Sequence, residues 1–92
     1  MQMVDAGASV HDFGDTIIVL ENYGLHGNVR AWLLFDKFCR NTVRAMQSVA
    51  DGFSGKAIYA STHDERIKII LEKMGFFQYA KDEHDYYLVR RN

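Results

Sequence analysis

At Asp36 the spacing of apolar residues changes from strand-like to helical, and that change restricts the folds open to the chain. Before it, short apolar runs stand between turn clusters. Thr16-Ile17-Ile18-Val19-Leu20 lies between Gly14-Asp15 and Asn22-Tyr23-Gly24, which predicts a strand. Val10 to Phe13 is its expected hairpin partner, turned through Gly14-Asp15. After the turn cluster Gly24-Leu25-His26-Gly27-Asn28, the run from Val29 to Phe35 is apolar almost throughout and predicts a strand buried on both faces. Beyond Asp36, Phe38, Thr42, Met46, Val49 and Phe53 recur at spacings of three and four, with Val43 and Ala50 beside them. Arg40, Asn41, Arg44, Gln47 and Ser48 take the other side, the pattern of an amphipathic helix closing near Gly52.

The second half repeats the alternation. Lys56 to Ala60 predicts a strand leaving the turn at Gly55. Thr62 and Glu65 have the spacing of a capping box, so a second helix is expected to start at Thr62. It would bury Ile67, Ile70, Leu71 and Met74 on one stripe, with Gly75 as its C-cap. Phe76 to Ala80 and Tyr86 to Arg90 predict a closing hairpin joined by Lys81-Asp82-Glu83-His84-Asp85. The order strand, strand, strand, helix, strand, helix, strand, strand predicts an α/β fold: a single mixed, largely antiparallel sheet with two helices. The chain has no proline, where an average chain of its length holds about five. It is therefore free to be helix and strand nearly throughout. Its 92 residues make one domain, and 13% aromatic content excludes a disordered chain. Residues 1–9 are weakly periodic and are expected to be a lead-in to a single domain over 10–92.

Charge and cysteine usage narrow the function classes. A formal net charge of -1 lacks the basic footprint that drives phosphate binding, so a nucleic-acid partner is disfavoured. The single cysteine, Cys39, excludes an internal disulfide. No basic start followed by an apolar run marks a signal peptide, and the runs Ile17–Leu20 and Ala31–Phe35 fall far short of the roughly 20 residues that span a bilayer. A cytoplasmic protein without a membrane partner is expected. His11, His26, His63 and His84 lack metal-ligand spacing, so no zinc site is expected, and Cys39 reads as an inert helix residue. Glu21 is a candidate general base if it points into a cleft. Arg30, Lys37, Arg40, Arg44 and Lys56 form a basic cluster around the first helix, either a solvated face or a contact for an anion or an acidic partner. Phe76, Phe77, Tyr79, Tyr86 and Tyr87 flank the acidic Asp82, Glu83 and Asp85, which favours core and partner packing over base stacking.

The segment from Asp64 to Phe76, DERIKIILEKMGF, resembles the second signature of the GNAT acetyltransferase superfamily. There Asn-x-x-Ala, apolar positions and Tyr-x-x-x-Gly-Phe follow a short strand. The closing FFQYAKDEHDYYLVRR resembles that family's terminal hairpin. Upstream, Arg40-Asn41-Thr42-Val43-Arg44-Ala45 falls where the family carries Arg/Gln-x-x-Gly-x-Gly/Ala, a turn that holds the pyrophosphate of acetyl-CoA at a helix start. The resemblance implies a GNAT-like fold over roughly residues 10–90, specific at 56–76. It implies acetyl-CoA as cofactor, with Arg40, Asn41, Thr42, Val43, Arg44, Ala45 and Asp64 beside it.

Three positions depart from the pattern. Val43 stands where glycine lets backbone approach phosphate. Asp64 replaces an asparagine that contacts cofactor. Leu71 replaces a tyrosine that often protonates the leaving thiolate, and leucine has no proton to give. The resemblance also implies that the family's N-terminal strand and first two helices have no room here, leaving sheet surface for a protein partner or a homodimer. The expected protein is a minimal, degenerate member of the bacteriophage type, in the host cytoplasm or the virion. It would lack acetyl transfer and bind a virion component or a host factor. The alternative is an active acetyl-CoA-dependent N-acetyltransferase modifying a protein or small-molecule amine, with water or Glu21 as the base.

Overall fold

A computed structural model describes residues 8–24 and 27–91. Its elements are β1 (Ala8–Asp12), β2 (Thr16–Asn22), β3 (Asn28–Phe35), α1 (Arg40–Gly52), β4 (Ala57–Thr62), α2 (Glu65–Lys73), β5 (Phe77–Lys81) and β6 (Tyr86–Arg91). The predicted order of elements is the observed one. The strands form one six-stranded sheet in the spatial order β1-β2-β3-β4-β6-β5. Every neighbouring pair is antiparallel except β3 with β4. β1 begins at Ala8, two residues before the expected strand, and the remainder of the lead-in lies outside the described residues, as does His26.

Local chemistry explains the turns. Gly14 takes φ +90°, a conformation costly for other residues, and its amide donates to the Asp12 carboxylate at 2.8 Å. The Phe13 amide donates to the Thr16 carbonyl at 2.8 Å, closing the first hairpin. At the end of α2 the Gly75 amide reaches the Glu72 carbonyl and the Phe76 amide the Leu71 carbonyl, each at 3.1 Å. With Gly75 at φ +96°, this is a Schellman cap, and it draws Phe76 into the core. The last strand pair therefore starts at Phe77 rather than Phe76.

Two expectations are corrected. The second helix is capped by Asp64, not Thr62: the Asp64 carboxylate accepts the Arg66 amide at 2.8 Å. Thr62 is still in β4, paired with Tyr86, and its hydroxyl accepts the Asp64 amide at 3.1 Å. Nor is β3 buried on both faces, since Trp32 is 45% and Leu34 59% exposed. The connections β3-α1-β4 and β4-α2-β5 both advance in the same direction across the sheet. Crossovers of one hand then carry both helices to the same face. On that face Ile18, Leu20, Val29, Ile58 and Leu88 meet Ala45, Met46 and Ala50 of α1 and Leu71 of α2 in one core.

Candidate functional site

The parallel strands separate. β3 and β4 pair only at Asn28–Ala57, Val29–Ile58 and Arg30–Tyr59. Beyond these residues β3 stays on β2 as far as Phe35, and β4 stays on β6 as far as Thr62. Ala31–Phe35 and Ala60–Thr62 therefore face each other across a gap without pairing. A cavity of about 350 Å³ occupies it. Ala31 and Leu33 line one side, Ala60 the other, with Met46 and Val49 from α1 and Ile67 and Leu71 from α2. The mouth carries Ser61, Thr62, His63, Asp64 and Asp85. The gap lies at the carboxyl ends of the parallel strands, where open α/β sheets bind ligands.

Of the residues expected beside a cofactor, Asp64 alone lines this cavity. It is already engaged: beyond capping α2, its carboxylate pairs with the Arg66 guanidinium at 3.2 Å. Hydrogen bonds from the Arg66 side chain, then its amide, hold the Asp64 pKa below the ordinary carboxylate range. Leu71 is 6% exposed, joining the core to the cavity wall, and offers no proton.

Arg40 to Ala45 are the opening turns of α1, not a loop. The Val43 amide donates to the Cys39 carbonyl at 3.2 Å as an ordinary helical bond. Thr42 is fully buried. Its hydroxyl accepts the Cys39 amide at 3.3 Å, donates to the Lys37 carbonyl at 3.4 Å and meets the buried Thr16 hydroxyl at 3.3 Å. The Cys39 sulfur lies 3.6 Å from that hydroxyl. The Thr42 amide, the Thr42 hydroxyl and the Asn41 amide, in that order, lower the Cys39 thiol pKa. Ala45 is buried in the core, while Arg40, Asn41 and Arg44 are exposed. Asn41, Arg44 and Ala45 border a separate hollow with Phe13, Asp15 and Ser48.

Glu21 is not at the cavity either. Its carboxylate accepts the Trp32 indole N–H at 2.6 Å on the face opposite the helices. Arg30 lies on that face too, its guanidinium 4.5 Å from the Trp32 ring centroid, so the basic cluster is not one surface. Sequence reading missed Ser61, His63 and Asp85. The signal available for the first two was their place between a strand end and a helix cap. Among the described residues, no group of three or more His, Cys, Asp and Glu side chains could hold a metal ion. Among the described residues no helix is long and apolar enough to cross a membrane.

Strand order, a separated parallel pair and two helices on one face define a GNAT-like fold. A solved structure with the same frame is the acetyltransferase (GNAT family) from Bacillus anthracis, similar at a TM-score of 0.65 with 17% sequence identity. The likeness covers 83% of this chain and 57% of that one, so the chain spans little more than half of its neighbour's length. At that identity the likeness establishes the fold. No family model matches the sequence, and no curated protein does.

The neighbour's family implies acetyl-CoA, and the residues present here fit it unevenly. The apolar cavity has room for a slender acyl-bearing arm. The phosphate end does not fit: the amides of Asn41 and Thr42 turn to the Cys39 sulfur, Val43 is helical, and the Asp64 carboxylate stands at the mouth.

Proposed function

We propose that this chain is a GNAT-like binding module in which the acetyl-CoA site is lost, and that it acts by docking a protein partner. The observation that carries this reading is the start of α1. Arg40 to Ala45, the segment that would cradle pyrophosphate, is helix capped from within by Cys39 and Thr42. A phosphate would have to displace the Cys39 sulfur from the Asn41 and Thr42 amides to reach them.

The exposed guanidinium groups of Arg40 and Arg44 make no ion pair among the described residues. One helical turn apart, they suit an acidic patch on a partner, as charge complementarity favours. In the bacteriophage setting that the degenerate signatures suggest, that partner is a virion component or an inhibited host factor.

A thermal-shift titration tests the loss of cofactor. Saturating ligand that binds the native state raises stability by a few kcal/mol. The expected result is an unchanged melting temperature at millimolar acetyl-CoA. A rise abolished by Arg40→Glu would overturn the reading. The cavity itself favours a second reading, an N-acetyltransferase that retains its acyl cleft. Acetylation of an amine acceptor by the full chain would establish it.

A further inference from the structure

No helix covers the sheet face opposite α1 and α2 among the described residues; Val89 and Ala57 on it are buried, and its exposed apolar groups are not a scatter. Register puts Val10, Val19 and Trp32 in one cross-strand row, and Ile17 and Leu34 in another. Arg30, Tyr59, Val89 and Phe77 form a third, so the face spans all six strands. Val10, Trp32, Leu34, Phe77 and Tyr79 are exposed on it.

Rings run across this face in contact. Tyr87 and Tyr79 lie 6.5 Å apart, Tyr79 and Tyr59 5.8 Å, and Tyr59 and Tyr23 5.0 Å, centroid to centroid. The Arg30 guanidinium continues the row, 5.7 Å from the Tyr23 ring and 4.5 Å from that of Trp32. Two polar tips are already occupied, the Trp32 N–H by Glu21 and the Tyr87 hydroxyl by Asp82 at 2.6 Å. What remains is largely ring and aliphatic surface, with the Tyr23, Tyr59 and Tyr79 hydroxyls among it.

Size and charge select the occupant. Six strands about 4.8 Å apart, each about six residues long at ~3.3 Å rise, give a face on the order of 500 Å² in projection. Side-chain relief brings that toward the roughly 800 Å² per partner of a standard stable interface, beyond the largest patch of most monomers. Its charges are mixed, with Glu21 and Arg30 directly opposite each other across β2 and β3 and Asp82 held by Tyr87. Asp12 and Glu21 lie on β1 and β2, and Arg30 and Arg91 lie on β3 and β6. A two-fold axis parallel to the strands, between β3 and β4, lays β1 and β2 of one copy over β5 and β6 of the other. Glu21 on β2 of each copy then lies over β6 of the other, the strand that carries Arg91. A single-stranded nucleic acid would need cations in excess, and Arg30 is already committed to two rings.

We propose that this face closes on the same face of a second copy, forming a two-fold, sheet-on-sheet dimer. Trp32 of each copy packs beside the tyrosine row of the other, and the two Leu34 side chains meet near the axis. This inference concerns a different surface from the partner contact at Arg40 and Arg44 and stands independently of the cofactor reading.

Light scattering on size-excluded full chain at about 100 µM tests it, the expected mass being twice that of one chain. Leu34→Asp and Trp32→Ala, both at exposed positions, should give folded monomers by circular dichroism. Ile69→Glu, at an exposed apolar position on α2, should leave the dimer intact. Arg91→Glu should weaken dimerisation by about tenfold, and adding Glu21→Arg should restore it. A folded wild-type monomer would overturn the proposal. So would a dimer insensitive to both Leu34→Asp and Trp32→Ala, or an oligo-dT complex lost in Trp32→Ala without any dimer. A dimer that gains stability from acetyl-CoA would overturn the binding-module reading and leave this one standing.

Discussion

The two helices begin at equivalent places, each after a strand of the separated parallel pair, yet their starts are built differently. At α1 the cap is inside the protein: Thr42 and Thr16, both fully buried, join hydroxyls beneath the Cys39 amide. At α2 the cap is at the surface, where Asp64 holds its own first-turn amide and a guanidinium whose side chain is 88% exposed. A helix start can thus be satisfied by the core or by its own first turn. In both, some first-turn amides are engaged within the chain: Asn41 and Thr42 by the Cys39 sulfur, Arg66 by the Asp64 carboxylate. The difference predicts which start is costly to disturb.

The largest effect should come from the core that both helices share. Leu71→Ala removes a nearly fully buried side chain from α2 and should cost about 2–5 kcal/mol in urea denaturation. A cost below about 1 kcal/mol would mean that Leu71 belongs to the open cavity more than to the core. Next, Thr42→Val keeps the shape of the α1 cap but removes its hydroxyl. It leaves the Cys39 amide and the Thr16 hydroxyl without that partner, for an expected loss of about 1–3 kcal/mol. Asp64→Ala, at the exposed cap, should lower the melting temperature less than Thr42→Val does. The reverse order would break the comparison.

The smallest effects separate the two caps by pH. Asp64 has a folded pKa below its unfolded value near 4, so its contribution is full above about pH 4 and is lost as pH falls through the folded value. Asp64→Asn should flatten that acid limb of stability. The Cys39 thiol is likewise lowered, from an unfolded value near 8.5. Its contribution is present above about pH 8.5 and fades as pH falls through the folded value. Melting curves should show wild type gaining on Cys39→Ser only on the alkaline side. Equal differences at every pH would show that the sulfur contributes packing and not charge.

Much of the frame was legible because each element carries its own period. The change of spacing at Asp36, the glycine at 75 and the β-branched run from Thr16 each encode local geometry. Errors arose where tertiary placement decides. The apolar run in β3 reads as doubly buried, but which faces receive helices depends on the direction of the crossovers, which no local pattern records. Thr62 and Asp64 are both sound N-caps, and pairing of Thr62 with Tyr86 settles the choice. The cavity was the least legible feature. It arises where two strands stop pairing, and His63 and Asp85 reach its mouth from segments far apart in the chain. The aromatic row across the sheet needed the strand register to appear.

The loss of the cofactor site turns on the α1 start being closed to phosphate. An amide-resolved NMR titration of the full chain with acetyl-CoA addresses those atoms directly. The account predicts that the Arg40 to Ala45 amide resonances stay in place at millimolar ligand. Saturable shifts at Asn41, Thr42 and Val43, lost in Arg40→Glu, would contradict it.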